Sequence, residues 1–471
     1  MVSEQRSAVP EVSDLSAGVS KKGNIDFTKG SIIQNMILFS VPIVLGELFQ
    51  NLYNSVDALV VGNFVGKYAL GAVSVCDTIA RLLVGFFTGM SAGVSVVVAR
   101  IFGSGDREKL KRSMRVTFSF GAVLGTVLAA LGILLTPALL RLTGAEEGVY
   151  LQGLIYLRIY LGGLVFTVAY NVGAGILRAV GDSRTPFHIL VVTCITNIVL
   201  DLLLVAVFGL GIAGVSFATV CSQFLSVVLV FRKLRKTEES FRICISEIPG
   251  EKKLIREVVN IGTPSGLQYS LISFSNLFVW RYINVFGAAA TAGVGVAMRL
   301  DKFISLPTKA FGLTISTFVS QNVGARNYER SREGILRCLA LSLAVTFALG
   351  AVVYVFTDRC VSLFSTEPDV VEIGSTMLKF MIPFYLVMVV REIFLGALRG
   401  YGYARMPMIL SLFGMVVLRQ IFLAIVMRHP RIEYIYAAFP LGWGLTAFML
   451  MIYYFLIRGQ IRNRMAAAEA E

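Results

Sequence analysis

Apolar runs of about 20 or more residues recur along this chain and are separated by short segments that hold most of its charge. A helical run of that length crosses the hydrocarbon core of a bilayer. Backbone groups in lipid must be hydrogen-bonded within their own segment, so each run is expected to be helical, and none shows the alternation of a membrane β-barrel. The sequence therefore predicts an all-α integral membrane protein.

Twelve such spans are predicted, which makes the chain multi-pass in the lipid bilayer. They cover residues 31–61, 69–99, 114–140, 152–177, 186–208, 211–231, 254–286, 288–321, 335–357, 373–398, 406–427 and 434–457. We expect five regions: a flexible cytoplasmic tail (1–30), an N-lobe of helices 1–6 (31–231), a cytoplasmic linker (232–253), a C-lobe of helices 7–12 (254–458) and a second cytoplasmic tail (459–471).

Lysine and arginine separate sharply between alternate loops. Of the 43 basic residues, 29 fall on one side of the predicted membrane and 5 on the other. The positive-inside rule then puts both termini in the cytoplasm, with the chain in the inner (plasma) membrane. The same distribution accounts for the net charge of +14 without a nucleic-acid partner.

The two halves of the chain resemble each other at a spacing of about 221 residues. Leu177-Arg178 and Gly181 correspond to Leu398-Arg399 and Gly402, and Gly103 corresponds to Gly324. Each half holds six spans, so the repeats are parallel and related by an axis along the membrane normal. Parallel repeats of this kind are typical of secondary transporters, which bind substrate between the halves.

Four polar residues are predicted to lie at one depth in the first half. Asp201 precedes the tight turn Gly209-Leu210-Gly211 by nine residues, and Thr219 follows Leu210 by nine, so a helical hairpin aligns them. Asn197 lies one turn from Asp201 on the same face, and Asp57 lies at a similar level in span 1. Oxygen ligands of this type suit a proton or Na⁺. Intramembrane carboxylates are usually functional, so we predict a coupling-cation site here.

Polar residues also follow one stretch of span 1, where Glu47, Gln50, Tyr53 and Asn54 recur at helical spacing. They are candidates for lining a cavity, although a polar helix–helix contact explains them equally well. Pro42 removes one backbone hydrogen bond and is a candidate hinge for this helix.

Enzyme motifs do not account for the chain. Gly103-Ser104-Gly105-Asp106 spells the GxGD of intramembrane aspartyl proteases, but it lies in a basic loop. HExxH, a credible Ser–His pair and a Walker A motif do not occur in the sequence. We therefore expect no enzyme and no ATP-driven pump, no cofactor, and no metal other than Na⁺ at the coupling site.

Three stretches resemble the multidrug and toxin extrusion (MATE) family, in its bacterial DinF-like branch. They are Ser40-Val41-Pro42 with Asp57 fifteen residues after the proline, the run 169–183 followed by Pro186, and Asn197-x-x-x-Asp201 with Thr219. The resemblance implies two six-helix bundles forming a V, and multidrug export of cationic or amphipathic compounds by H⁺ or Na⁺ antiport. It also places Asp57, Asn197, Asp201 and Thr219 on the family's N-lobe cation site, and Pro42 on the proline that bends helix 1.

The second half departs from branches that use acidic residues in helices 7 and 10 for Na⁺ coupling. Helix 7 offers Gln268 but no carboxylate, and Glu392 in helix 10 is not at the expected spacing. Gln268 and Glu392, together with Asn171 at the repeat position of Glu392, are further candidates for cavity lining.

Three functions remain open. The first is a monomeric, cation-coupled exporter of small organic molecules that works by alternating access. The second is a flippase for lipid-linked or other amphipathic anionic substrates, which the arginines of the second half would suit. The third is a membrane scaffold without transport. Neither the physiological substrate nor the choice between H⁺ and Na⁺ follows from the sequence.

Overall fold

A computed structural model describes residues 24–470 except 142, 145, 238–240 and 242. Twelve helical elements follow the twelve predicted spans. They are α1 (Ile32–Val65), α2 (Lys67–Gly103), α3 (Arg107–Arg141), α4 (Glu147–Gly162 and Leu164–Ala179), α5 (Arg184–Val207), α6 (Gly211–Thr237), α7 (Lys252–Ile283), α8 (Ala288–Ile304 and Leu306–Gly324), α9 (Tyr328–Val355), α10 (Pro368–Gly400), α11 (Arg405–Val426) and α12 (Ile432–Ala470).

Within the described residues, nine of these helices are long and apolar enough to cross a bilayer. The two parts of α4 form a tenth, bent by 44° at Gly163. Of the remaining two, α7 carries polar residues along its length and packs along α2, and α8 is interrupted at Ser305.

Both halves meet at the end of the bundle that holds the basic loops, here called the basic end. Arg100 and Gln321 occupy equivalent positions of the two repeats, as do Gly103 and Gly324. A Cβ at Gly103 would strike the Gln321 carbonyl, and one at Gly324 would strike the Arg100 carbonyl. This reciprocal contact is the signature of two-fold symmetry. It confirms parallel repeats whose axis runs along the bundle.

Towards the basic end, the halves exchange the first parts of α1 and α7. Met36 and Phe39 of α1 are buried in a core that also holds Ile25 and Phe27 and is formed otherwise by α8–α12. Val258 and Ile261 of α7 are buried in the core of the first half. The two-lobe architecture is as predicted, but the lobes are not separate in sequence at residues 31 and 254, because each lobe completes its core with the other's first helix.

The predicted flexible tail over 1–30 is wrong for residues 24–30. Phe27 is fully buried, and its N–H donates to Gln321 Oε1 at 2.9 Å. Ile25 N donates to Gly181 O at 3.0 Å. Two apolar side chains at alternate positions anchor this segment between the halves at the basic end. Residues 1–23 lie outside the described part of the chain.

The second predicted tail (459–471) and the predicted linker (232–253) are also largely part of the fold. The tail over 459–471 continues α12 to Ala470, because Ile457, Ile461 and Met465 follow at four-residue steps and are buried. The linker over 232–253 begins inside α6 and ends inside α7. Between them Phe241 is buried against Phe118. Residues 238–240, 242 and 471 are outside the described residues.

Candidate cation-binding site

Asn197 brings together the two carboxylates that the sequence placed at one depth. With its amide nitrogen turned towards them, it donates to Asp57 Oδ1 at 3.0 Å and to Asp201 Oδ2 at 3.2 Å. The two carboxyl groups are also within hydrogen-bonding reach of each other. Asn197 is 1% exposed and Asp201 fully buried, and Asp201 Oδ1 has no partner among the described residues. Two adjacent carboxyl groups with one free oxygen can share a proton or coordinate a cation.

Local backbone geometry explains why these groups meet. The turn between α5 and α6 reverses sharply because Gly209 (φ 67°) and Gly211 (φ 54°) both adopt the left-handed conformation that glycine tolerates. The last turns of α5 widen to π-helical geometry immediately after Asp201. The end of α1 does the same four residues after Asp57. Such turns recur at functional sites, and here they follow both carboxylates.

A cavity of about 460 Å³ lies beside this carboxyl pair, in the half of the bundle farther from the basic end. Five predicted lining residues lie in its wall: Glu47, Gln50, Tyr53, Asn54 and Asn171. Asp57 and Thr219 line it too. Among the described lining residues there are carboxylates but no lysine or arginine, so the cavity is electronegative.

Thr219 contacts the site through Tyr53. The Tyr53 hydroxyl lies 3.5 Å from Thr219 Oγ1 and can donate to it. The Thr219 hydroxyl in turn donates to Val215 O of its own helix at 3.1 Å. Tyr53 also interacts with Asp57. The four predicted residues thus lie in one connected group, with Thr219 at its edge.

The cavity contains residues that the sequence reasoning missed. Asp77 on α2 is a third carboxylate in the wall and acts electrostatically on Asp57. It was detectable as an acidic residue inside predicted span 2. Tyr156 and Tyr160 stack at 6.1 Å and form an aromatic wall, which their four-residue spacing could have indicated. Gln223, which accepts from Thr167 at 2.6 Å, lies one turn after Thr219.

Gln268 and Glu392 do not line this cavity. Gln268 is 2% exposed and accepts a hydrogen bond from Arg399 Nη2 at 2.8 Å. Glu392 pairs with Arg391, whose side chain is also buried. Both side chains therefore pair with arginines of the second half, because a buried cation needs a close partner.

Pro42 lies inside α1, which continues helically through it. Two residues before it, Ser40 Oγ is 2.8 Å from Thr314 Oγ1 of α8. The proline therefore separates the part of α1 that packs on the second half from the part that carries Asp57.

Twelve helices in two related halves, with carboxylates around an intramembrane cavity, define a multi-pass membrane transporter. The family model described as MatE matches residues 42–203 and, a second time, residues 264–425. The chain belongs to this family of multidrug efflux transporters. The double match also confirms the internal repeat.

Several relatives and solved structures are similar over nearly the whole chain. A probable multidrug resistance protein of Bacillus subtilis, YoeA, is 28% identical over 91% of this chain and 94% of its own length. A second one from that organism, YpnP, is 30% identical over 85% and 89%. A MOP superfamily transporter from Pyrococcus furiosus has the same fold, with a TM-score of 0.86 at 20% identity over 96% of this chain and 99% of the other.

Proposed function

We propose that this protein exports cationic or amphipathic organic molecules in exchange for H⁺ or Na⁺. The observation that carries the proposal is the connected group of half-buried Asp57 and buried Asn197 and Asp201, which lies beside a cavity. The described lining residues of that cavity include carboxylates and no basic side chain. A cationic substrate and the coupling cation would compete for the same negative charge. Binding of one then weakens binding of the other, which is the requirement for antiport.

Either coupling ion fits the chemistry of Asn197. In the orientation that donates to both carboxylates, the amide stabilises the charged pair, and one added proton can be shared between Asp57 and Asp201. Rotation of the amide presents its oxygen instead. Na⁺ would then meet carboxylate and amide oxygens, which hard cations prefer.

Transport also requires that the cavity be exposed to each side in turn. The halves are in close contact at the basic end, so this arrangement closes the cavity there. By the positive-inside rule the basic end would face the cytoplasm, and in the plasma membrane the present state would then be outward-facing. Cation binding at Asp57 would change how α1 packs beyond Pro42 and shift the balance between the two states. The chain works as a monomer in this scheme, since one chain forms the whole cavity.

The test is uptake of a fluorescent organic cation into everted vesicles, with ΔpH and Na⁺ gradients imposed separately. Asp57→Asn keeps the shape of the side chain and removes its charge, so uptake should be lost. Asp106→Asn in the exposed loop before α3 is the matched control and should transport normally. Wild-type uptake by Asp57→Asn would refute the site. No uptake by the folded wild type under either gradient would refute cation export.

A flippase for amphipathic anions is the second candidate, and buried arginines in the second half favour it. Arg419 is 2% exposed and donates to Ser275 Oγ at 2.9 Å, and Arg391 lies close enough to repel it. Flipping of an anionic lipid in liposomes, with no cation uptake, would support this function over the first.

A further inference from the structure

A second cavity, of about 630 Å³, lies between the halves at the basic end. It shares no lining residue with the carboxylate-lined cavity. Its wall combines the ends of α2 and α8, the start of α3 and α7, the loop after α10 and the last turns of α12. Both halves of the transporter therefore contribute to it, at the level where Gly103 and Gly324 make their reciprocal contact.

The wall of this basic cavity is strongly cationic. Six basic side chains line it against two acidic ones: Arg100, Lys109, Arg112, Lys253, Arg326 and Arg464, with Glu251 and Glu257. Both acids form ion pairs within the wall: Glu257 pairs with Arg100, and Glu251 pairs with Arg112 at 2.6 Å. The other four cations form no ion pair within the part of the chain that the structure describes.

Two further features distinguish this cavity from an ordinary basic surface. Arg100 Nε is buried without a hydrogen-bond partner among the described residues, and the charge of Arg464 acts on Arg100 unfavourably. Arg326 has φ 58°, the one positive φ of a non-glycine residue in the described ranges. That residue ends α8, where Asn327 N donates to Asn322 O across the turn, and the conformation costs a non-glycine residue about 1 kcal/mol or more. Like charges are thus held together at a cost in free energy.

We propose that this basic cavity binds an anion of the phosphate class, either the headgroup of an anionic lipid or a free oligophosphate. Phosphate oxygens match guanidinium groups in geometry and charge. Basic pockets between transmembrane helices recognise lipid phosphates in the same way. Because the cations come from both halves, the bound anion ties the halves together and favours the state in which the basic end is closed.

The experiment measures binding through the thermal unfolding midpoint of the purified full-length protein. In detergent, pyrophosphate is titrated against NaCl at equal ionic strength. In nanodiscs, phosphatidylcholine is compared with phosphatidylcholine containing phosphatidylglycerol. We expect a saturable rise of about 1–3 °C in at least one arm. A response to pyrophosphate identifies a soluble anion as a ligand, and a response confined to phosphatidylglycerol identifies a lipid.

Three variants make the result specific. Arg464→Gln should lose at least half of the rise, whereas Arg462→Gln, an exposed arginine two residues away that does not line the cavity, should keep it. Arg326→Gly removes a charge and suits the positive φ, so the midpoint without anion should not fall while the response to anion does.

The proposal is overturned if neither pyrophosphate nor phosphatidylglycerol raises the midpoint beyond the ionic-strength control. It is also overturned if Arg464→Gln and Arg462→Gln respond alike. These measurements need no transport, so they stand or fall independently of the proposed export function.

Discussion

Replacing Gly93 with alanine tests how closely α2 and α7 must approach. A Cβ at Gly93 would lie 2.6 Å from Gly262 Cα and 2.7 Å from Val258 O. Carbon atoms pack best at about 3.5–4.0 Å, so the two helices must separate by roughly 1 Å. The obstructing atoms belong to the backbone, and no change of rotamer can relieve the clash.

Gly85 provides the matched control on the same pair of helices. A Cβ there would lie 3.5 Å from Tyr269 Cβ, which is ordinary contact. Both substitutions gain about 1 kcal/mol of helix propensity. The difference between Gly93→Ala and Gly85→Ala therefore isolates the overpacking cost of about 1–3 kcal/mol. That corresponds to a change of about 5- to 150-fold in the folding equilibrium.

The assay is the thermal unfolding midpoint of each purified variant in one detergent, followed by organic-cation uptake. We expect the midpoint of Gly93→Ala to lie about 1–5 °C below that of Gly85→Ala. Uptake should fall in the same variant, because the cycle needs both arrangements of the halves. Equal midpoints would show that α2 and α7 can separate without cost, and would refute the overpacking argument.

Three further outcomes follow from the structure. Asp77→Asn should weaken uptake of cationic substrates more than uptake of neutral ones, because it removes one carboxylate from the cavity wall while Asp57 and Asp201 keep their charges; an equal loss for both classes would contradict that interpretation. Phe27→Ala should destabilise the protein by about 3–5 kcal/mol and expose the N-terminal segment to protease, whereas Leu363→Ala at an exposed position should do neither. Glu392→Gln should cost about 3–5 kcal/mol by leaving Arg391 buried and unpaired, and adding Arg391→Met should recover part of the loss; additive losses in the double variant would argue against the pair.

The sequence predicted the helices and the repeat because both depend on local properties. A run of apolar residues must be helical in lipid whatever its neighbours are, and a duplication is visible in the residues themselves. The shared depth of Asp57 and Asp201 followed from counting residues along helices of constant rise. For the same reason Asp77 was within reach of the sequence, as a carboxylate in a predicted span.

Tertiary structure decided which side chains of different helices contact one another. That Phe27 anchors the N-terminal segment, and that Gln268 and Glu392 are taken by arginines, depends on residues more than 100 positions apart or on the rotation of a helix about its own axis. Hydropathy does not specify that rotation, since lipid and protein interior are similarly apolar. The basic cavity around Arg326 likewise arises only where the ends of several helices converge. The sequence by itself thus determined the class of protein, the repeat and the depth of its acidic groups, while packing between distant helices determined which polar side chains face one another.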